Sequence, residues 1–406
     1  MSGFVRWKSH VDKLLRFNHM TMTLSAEPFR AEDSGAQTAH SRQRDDARTH
    51  HLAQRSASAT ATLQYTFDST LNFPEPFLTA SPRFNSSFEP GLRHLPCVLF
   101  LHGNDPGGFD VARWFAGGLA HAHRLRNPLM PSRFGTYSVY NVQERAGVQE
   151  RAGEQQSRFA VPTPPLGMLS ISRPGYLESS PPHSPTFLAQ AATAARLIEN
   201  LRIPSVHVIA HTVAAPIALE MAGLAGFRRR VRTITLVDPQ LAPARQPRRM
   251  AEQLHTLVPE WARTRAAYNA LARTANDSYF LRAVSEICGA ESIAEIKDDP
   301  TLARLYEGIG VFFSHWSSRR PGVLADSLMW SRLDRRSWGL VNAPILCITG
   351  AASPAGDVSE REEEARAALV NTRSTPEFAR IGSGGRMLFP LGKTSQACLD
   401  FIDRHQ

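Results

Sequence analysis

Hydrophobic residues change their spacing several times along this chain, and each change marks an expected element. Leu63, Tyr65 and Phe67 alternate with polar neighbours, which predicts a half-buried strand in a region that continues unevenly to about residue 90. Residues 97–101 form a continuous apolar run between turn residues, as expected of a strand covered on both faces. Strand-like runs recur at 167–172, 205–210, 231–237, 343–349 and 378–381. Helical spacing separates them at 185–201, 213–224, 359–370 and 388–404, and residues 240–340 read as wholly helical. Strands that alternate with crossover helices predict an α/β protein with a mostly parallel, doubly wound sheet. The core then comprises residues 61–239 and 341–406, with 240–340 as a helical cap inserted after the sixth strand. Such a cap would lie over the carboxyl ends of the strands, where open sheets of this type bind ligands.

Two segments fall outside this pattern. Residues 24–60 are rich in Ser, Ala, Thr, Gln, Arg and His with little periodicity, so the first 60 residues are expected to be basic and largely disordered. At their start Phe4, Val5, Trp7, Val11, Leu14, Leu15 and Phe17 mix with Arg6, Lys8, Lys13 and Arg16. That mixture suits either a mitochondrial transit peptide or a short helix packed on the body. The second segment, 126–165, contains VQERAG at 142–147 copied at 148–153. Two copies are too few for a solenoid, so a surface insertion is expected.

Composition narrows the function classes. The 406 residues are 42% hydrophobic and carry a formal charge of +9. The excess is mostly arginine in short clusters, at 228–230, 248–249, 319–320 and 335–336, read as solvated surface because no aromatic-interleaved recognition motif accompanies them. No run of about 18 apolar residues predicts a membrane span. The four cysteines, Cys97, Cys288, Cys347 and Cys398, form no metal or redox spacing, and Cys97 and Cys347 are expected to be buried thiols. An intracellular place, mitochondrial or cytoplasmic, follows from the thiol usage and the amino-terminal composition. No metal-ligand cluster is visible, and Gly107 and Gly108 do not make a phosphate loop, so no cofactor is expected.

The richest segment is VHVIAHTVAAPIALEMA at 206–222, an apolar strand, a sharp turn and an apolar-faced helix. It has the layout of a nucleophile elbow, usually Gly-x-Ser-x-Gly, with Thr212 at the nucleophile position and Ala210 and Ala214 in place of glycines. Around it lie His102-Gly103-Asn104 after the third strand, Arg173-Pro174-Gly175-Tyr176 after the fourth, Leu236-Val237-Asp238-Pro239 after the sixth, and Pro344 to Gly350 as the seventh. From about residue 95 to 405 the chain resembles the α/β-hydrolase fold family, on these five landmarks in their order. The resemblance implies an oxyanion hole near His102, Gly103, Asn104 and Val213, and a nucleophile–acid–histidine triad.

Each triad position is altered here. Thr212 bears a hydroxyl, but an elbow demands positive φ, which a β-branched residue resists; the other reading is an ordinary residue in a relaxed turn. Ser353 falls where the acid is expected after Gly350, with Asp357 and Asp238 as alternative acids; Asp238 also reads as a cap or surface turn residue. Arg386 falls at the histidine position, and no histidine occurs between His315 and His405. Arginine stays protonated and cannot act as a general base. His102 and His211 are expected to support loops rather than to pair with Thr212.

Two function classes follow. One is a degenerate hydrolase acting as a scaffold, a binder of a small molecule or protein partner, or a subunit of a larger, even RNA-containing, assembly. The other is an active ester or amide hydrolase with Thr212 as nucleophile, Asp238 or Asp357 as acid, and a base from His102, His211 or the cap. Trp261, Tyr268, Tyr279, Phe312, Phe313 and Trp316 would then line an apolar cap pocket, unless they are plain cap core.

Overall fold

The computed structural model describes residues 20–25, 60–69, 95–104, 107–126, 165–182, 184–243, 316–350, 358–381 and 392–406. Eight strands form one sheet: β1 (Met20–Ser25), β2 (Thr60–Ser69), β3 (Cys97–Leu101), β4 (Gly167–Ile171), β5 (Val206–His211), β6 (Val231–Val237), β7 (Ile345–Gly350) and β8 (Glu377–Ile381). Their spatial order is β1-β2-β4-β3-β5-β6-β7-β8. The pairings β1–β2 and β2–β4 are antiparallel, and β3 to β8 form a six-stranded parallel sheet. The expected α/β class and parallel sheet are present.

The described helices are α1 (Phe109–Arg126), α2 (Phe187–Asn200), α3 (Ala215–Gly223), α4 (Trp316–Met329), α5 (Val358–Leu369) and α6 (Gly392–Arg404). The alternation of β3 shows how they cover the sheet. Cys97, Leu99 and Leu101 join the core beneath α2, α3 and α5, while Val98 and Phe100 join the core beneath α1 and α6. Both faces are therefore dry, which is why β3 reads as an unbroken apolar run. Cys97, Cys347 and Cys398 are buried in these cores, and burial pushes the Cys347 and Cys398 thiols up to about 12.

Two described elements were not expected from the pattern. Every residue of α1 from Phe109 to His123 is buried, so it has no polar stripe to give a helical period. Strand β1 lies within the first 60 residues and reads MTMTLS, a short alternating edge. Where unbroken helix was expected, residues 316–340 hold α4 followed by 3₁₀ turns at Trp330–Arg332 and Arg336–Leu340. The insertion and most of the cap, including the aromatics from Trp261 to Phe313, lie outside the described residues.

Candidate active site

The elbow is built by burial and tight register. Strand β5 is buried along its whole length and sits between β3 and β6. The chain then turns at Thr212 with φ +49°, makes a 3₁₀ turn over Thr212–Ala214 and enters α3, whose first turn accepts Pro216. Thr212 thus adopts the strained elbow conformation, not the relaxed turn, and side chains of its type pay about 1–3 kcal/mol for it. Its carbonyl accepts the Gln240 N–H at 3.1 Å, tying the elbow to the loop after β6.

Gly103 shows where the Thr212 side chain points. A Cβ on Gly103 would collide with Thr212 Oγ1 and lie 2.9 Å from His211 Nδ1. Glycine is therefore required at the oxyanion-loop position, and the Thr212 hydroxyl and the His211 imidazole border one methyl-sized space. His211 is buried, with its ring edge-on to Phe115 at 4.9 Å.

His102 is committed elsewhere. Its Nε2 accepts the Arg173 N–H at 2.9 Å, so the ring proton sits on Nδ1 and is donated to the Gly103 carbonyl at 2.6 Å. Burial, reinforced by the charge of Arg173, holds its pKa well below the usual histidine value. A neutral ring with both nitrogens bonded to backbone supports the loop and cannot serve as the base for Thr212.

Arg173 organises the loop from the other side. Its Nε donates to the His102 carbonyl at 2.9 Å and its Nη2 to the Gly103 carbonyl at 3.0 Å. Asp326 of α4 holds the same guanidinium in a bidentate pair at 2.8 and 2.7 Å and accepts the Tyr176 hydroxyl at 2.6 Å. Burial works against the Arg173 charge, but Asp326 and Tyr176 outweigh it and raise its pKa. A second buried pair joins the same helix to the loop: Arg319 bonds Asp110 at 3.0 and 2.5 Å and also the Gly107 carbonyl. The sequence groups Arg319 with Arg320 as solvated surface, yet its side chain is 1% exposed while Arg320 faces water. Gly322 has no room for a Cβ because the Tyr176 ring fills that space, so α4 lies directly on the loop after β4.

Asp238 is the one candidate acid within the described residues. It follows β6 with φ +45°, is 7% exposed, and pairs with Arg361 of α5, whose other nitrogen donates to the Gly350 carbonyl at 3.2 Å. It is buried rather than a surface turn residue. Ser353, Asp357 and Arg386 lie outside the described residues. Asn104 is half-buried and Val213 fully buried at the elbow. Arg361, Asp326, Arg319 and Asp110 escaped sequence reasoning because nothing in their own neighbourhoods marks a partner so far along the chain. Among the described residues no group of His, Cys, Asp or Glu could hold a metal ion, and no helix is long and apolar enough to cross a membrane.

The strand order and the turn at Thr212 define an α/β-hydrolase architecture. Residues 168–357 match the family model described as alpha/beta hydrolase fold, so the chain carries that fold. Among solved structures, an alpha/beta hydrolase fold protein from Nakamurella multipartita is similar at 20% identity, with a TM-score of 0.51 over 76% of this chain and 92% of that one. A thermophilic esterase from Thermogutta terrifontis is similar at 16% identity, with a TM-score of 0.47 over 85% of this chain and 95% of that one. A search of curated proteins found no match.

Proposed function

We infer that this α/β-hydrolase-fold protein binds or assembles rather than hydrolyses, as a scaffold, a small-molecule binder or a subunit of a complex. The observation that carries this reading is the Asp238–Arg361 pair. A triad acid acts by accepting the Nδ1 proton of a histidine, and here Oδ1 of the buried carboxylate after β6 is paired with a guanidinium. The sequence supports it further, with Arg386 at the histidine position and Ser353 at the acid position. His102 has no free nitrogen to offer. An oxyanion hole without its triad retains only about 10³–10⁴-fold acceleration over water. The test is a panel of short-chain aryl esters assayed with the full chain and with Thr212→Ala. This reading expects no turnover, or the same weak turnover in both; turnover abolished in the variant overturns it.

The shared space at Gly103 favours a second reading. In it Thr212 Oγ1 attacks a carbonyl carbon, His211 takes the hydroxyl proton directly or through one water, and backbone N–H groups near Asn104 and Val213 receive the oxyanion. This hydrolase would lose its rate in Thr212→Ala and His211→Ala alike, and its kcat/KM would rise with pH through one imidazole-like ionisation. A flat pH profile, or full activity in His211→Ala, excludes it.

A further inference from the structure

Six arginines of the described structure gather at one end of the sheet. Strands β5, β6, β7 and β8 lie side by side and run parallel, so the turns that lead into them share the end opposite the elbow. Arg202 precedes β5, Arg228, Arg229 and Arg230 form the 3₁₀ turn into β6, Arg232 is the second residue of β6, and Arg373 precedes β8. Three strand spacings separate β5 from β8, roughly 14 Å. Arg202, Arg229, Arg232 and Arg373 are exposed and Arg228 is half-buried. Arg230 braces the set by donating to the Ile203 carbonyl at 3.0 Å.

Counter-charge in these turns is sparse. Among the described residues flanking them, Glu199 is half-buried, the exposed Asp334 is paired with Arg336 at 3.5 Å, and the Glu377 carboxylate is already held by Arg404 at 2.7 Å. The local potential is registered by His207, which lies between β3 and β6. Burial first, then the charge of Arg232 and the nearness of His405, lower its pKa to about 4. Arg202 adds an independent sign. It occupies the position just past α2 at φ +57°, with the Ile203 N–H returning to the Ile198 carbonyl at 3.0 Å. Glycine is the usual residue there, and a strained side chain at such a place points to a use for it.

The chemistry of the set selects the partner. Every member is an arginine, whose planar fork matches pairs of phosphate oxygens. No aromatic side chain is among the exposed large hydrophobics of the described residues, so single-stranded bases find no stacking platform. A lipid surface would call for apolar side chains inserted beside the charges. The exposed Leu340 and Val370 come from two separate turns and do not supply such a wedge. We propose that this face, opposite the elbow, docks the phosphate backbone of a nucleic-acid duplex without reading its sequence.

The experiment measures binding of the full chain to fluorescent duplex RNA and duplex DNA by anisotropy across a salt series, beside sedimentation with phosphatidylserine-containing vesicles. Five phosphate contacts predict an affinity loss of about 500-fold between about 50 and 200 mM salt. Arg228→Gln/Arg229→Gln/Arg232→Gln, with melting temperature unchanged, leaves two contacts and predicts a loss of about 12-fold over the same range. Arg320→Gln, exposed on α4 at the other end, leaves the salt dependence of the native chain. Binding of either duplex with these slopes supports the proposal, and a preference between them identifies the source of the phosphates. Thr212→Ala leaves this binding intact, which separates it from any reading of the elbow. Binding unchanged in the triple variant, binding lost equally in Arg320→Gln, or binding to vesicles in place of duplex overturns it.

Discussion

Removing the Asp326 carboxylate strands a buried charge, and the structure sets the size of the penalty. The Arg173 and Asp326 side chains are each 1% exposed, so neither can turn to water. In Asp326→Ala the guanidinium loses its bidentate partner, and the Tyr176 hydroxyl loses its acceptor at 2.6 Å. Breaking a buried pair from one side costs about 3–5 kcal/mol, which is a large share of a whole domain's stability of about 5–15 kcal/mol. Urea unfolding followed by tryptophan fluorescence should show a midpoint shift worth about 4 kcal/mol at unchanged slope. The exposed pair Arg336–Asp334, with side chains 93% and 63% exposed, is the control, and Asp334→Ala should cost less than about 1 kcal/mol. Arg173→Met/Asp326→Leu removes both charges but leaves the His102 and Gly103 carbonyls without Arg173 as donor. About 2 kcal/mol of the loss should remain in this double variant, with the oxyanion loop the first region to exchange its amide protons. A loss below about 1 kcal/mol in Asp326→Ala would refute the reasoning, because it would mean that Arg173 reaches solvent or another acceptor.

Two further outcomes follow from the same geometry. Gly103→Ala should destabilise by about 1–3 kcal/mol through its overlap with Thr212 Oγ1, and Thr212→Gly should stabilise by about 1 kcal/mol by relieving the positive φ. Combining them should recover most of the Gly103→Ala loss in thermal unfolding, whereas strict additivity would show that the two side chains do not share that space. His207 is held neutral in the folded chain with a pKa of about 4, below its ordinary 6.5, so the folded state binds fewer protons between those values. Its contribution is complete above pH 6.5 and is lost as the pH falls toward 4, by up to about 3 kcal/mol. His207→Gln should lack this decline in urea midpoints between pH 7 and 4, and an equal decline in the variant would reject the assignment.

The local pattern determined much of this protein. Runs such as Cys97 to Leu101 announce strands dry on both faces, and β6 spans Val231–Val237 as its run predicts. The strand–turn–helix at residues 206–222 identifies the elbow, because a strand that must turn sharply into a helix needs small residues around the turn. Helix α1 escaped because burial on every side erases the period by which a helix is read. The site itself was decided in three dimensions. Sequence places Arg319 and Arg320 side by side as equals, yet one is buried against Asp110, 209 residues away, and the other faces water. Sequence offers Asp238 as a candidate acid, and only the fold shows that Oδ1 of its carboxylate pairs with Arg361, 123 residues on. His102 looked like a candidate base until the Arg173 N–H and the Gly103 carbonyl occupied its ring. Periodicity records which residues are withdrawn from water, a property each segment carries alone. The partner a buried charge meets depends on how distant segments pack, and that is settled only when the sheet, α4 and α5 come together.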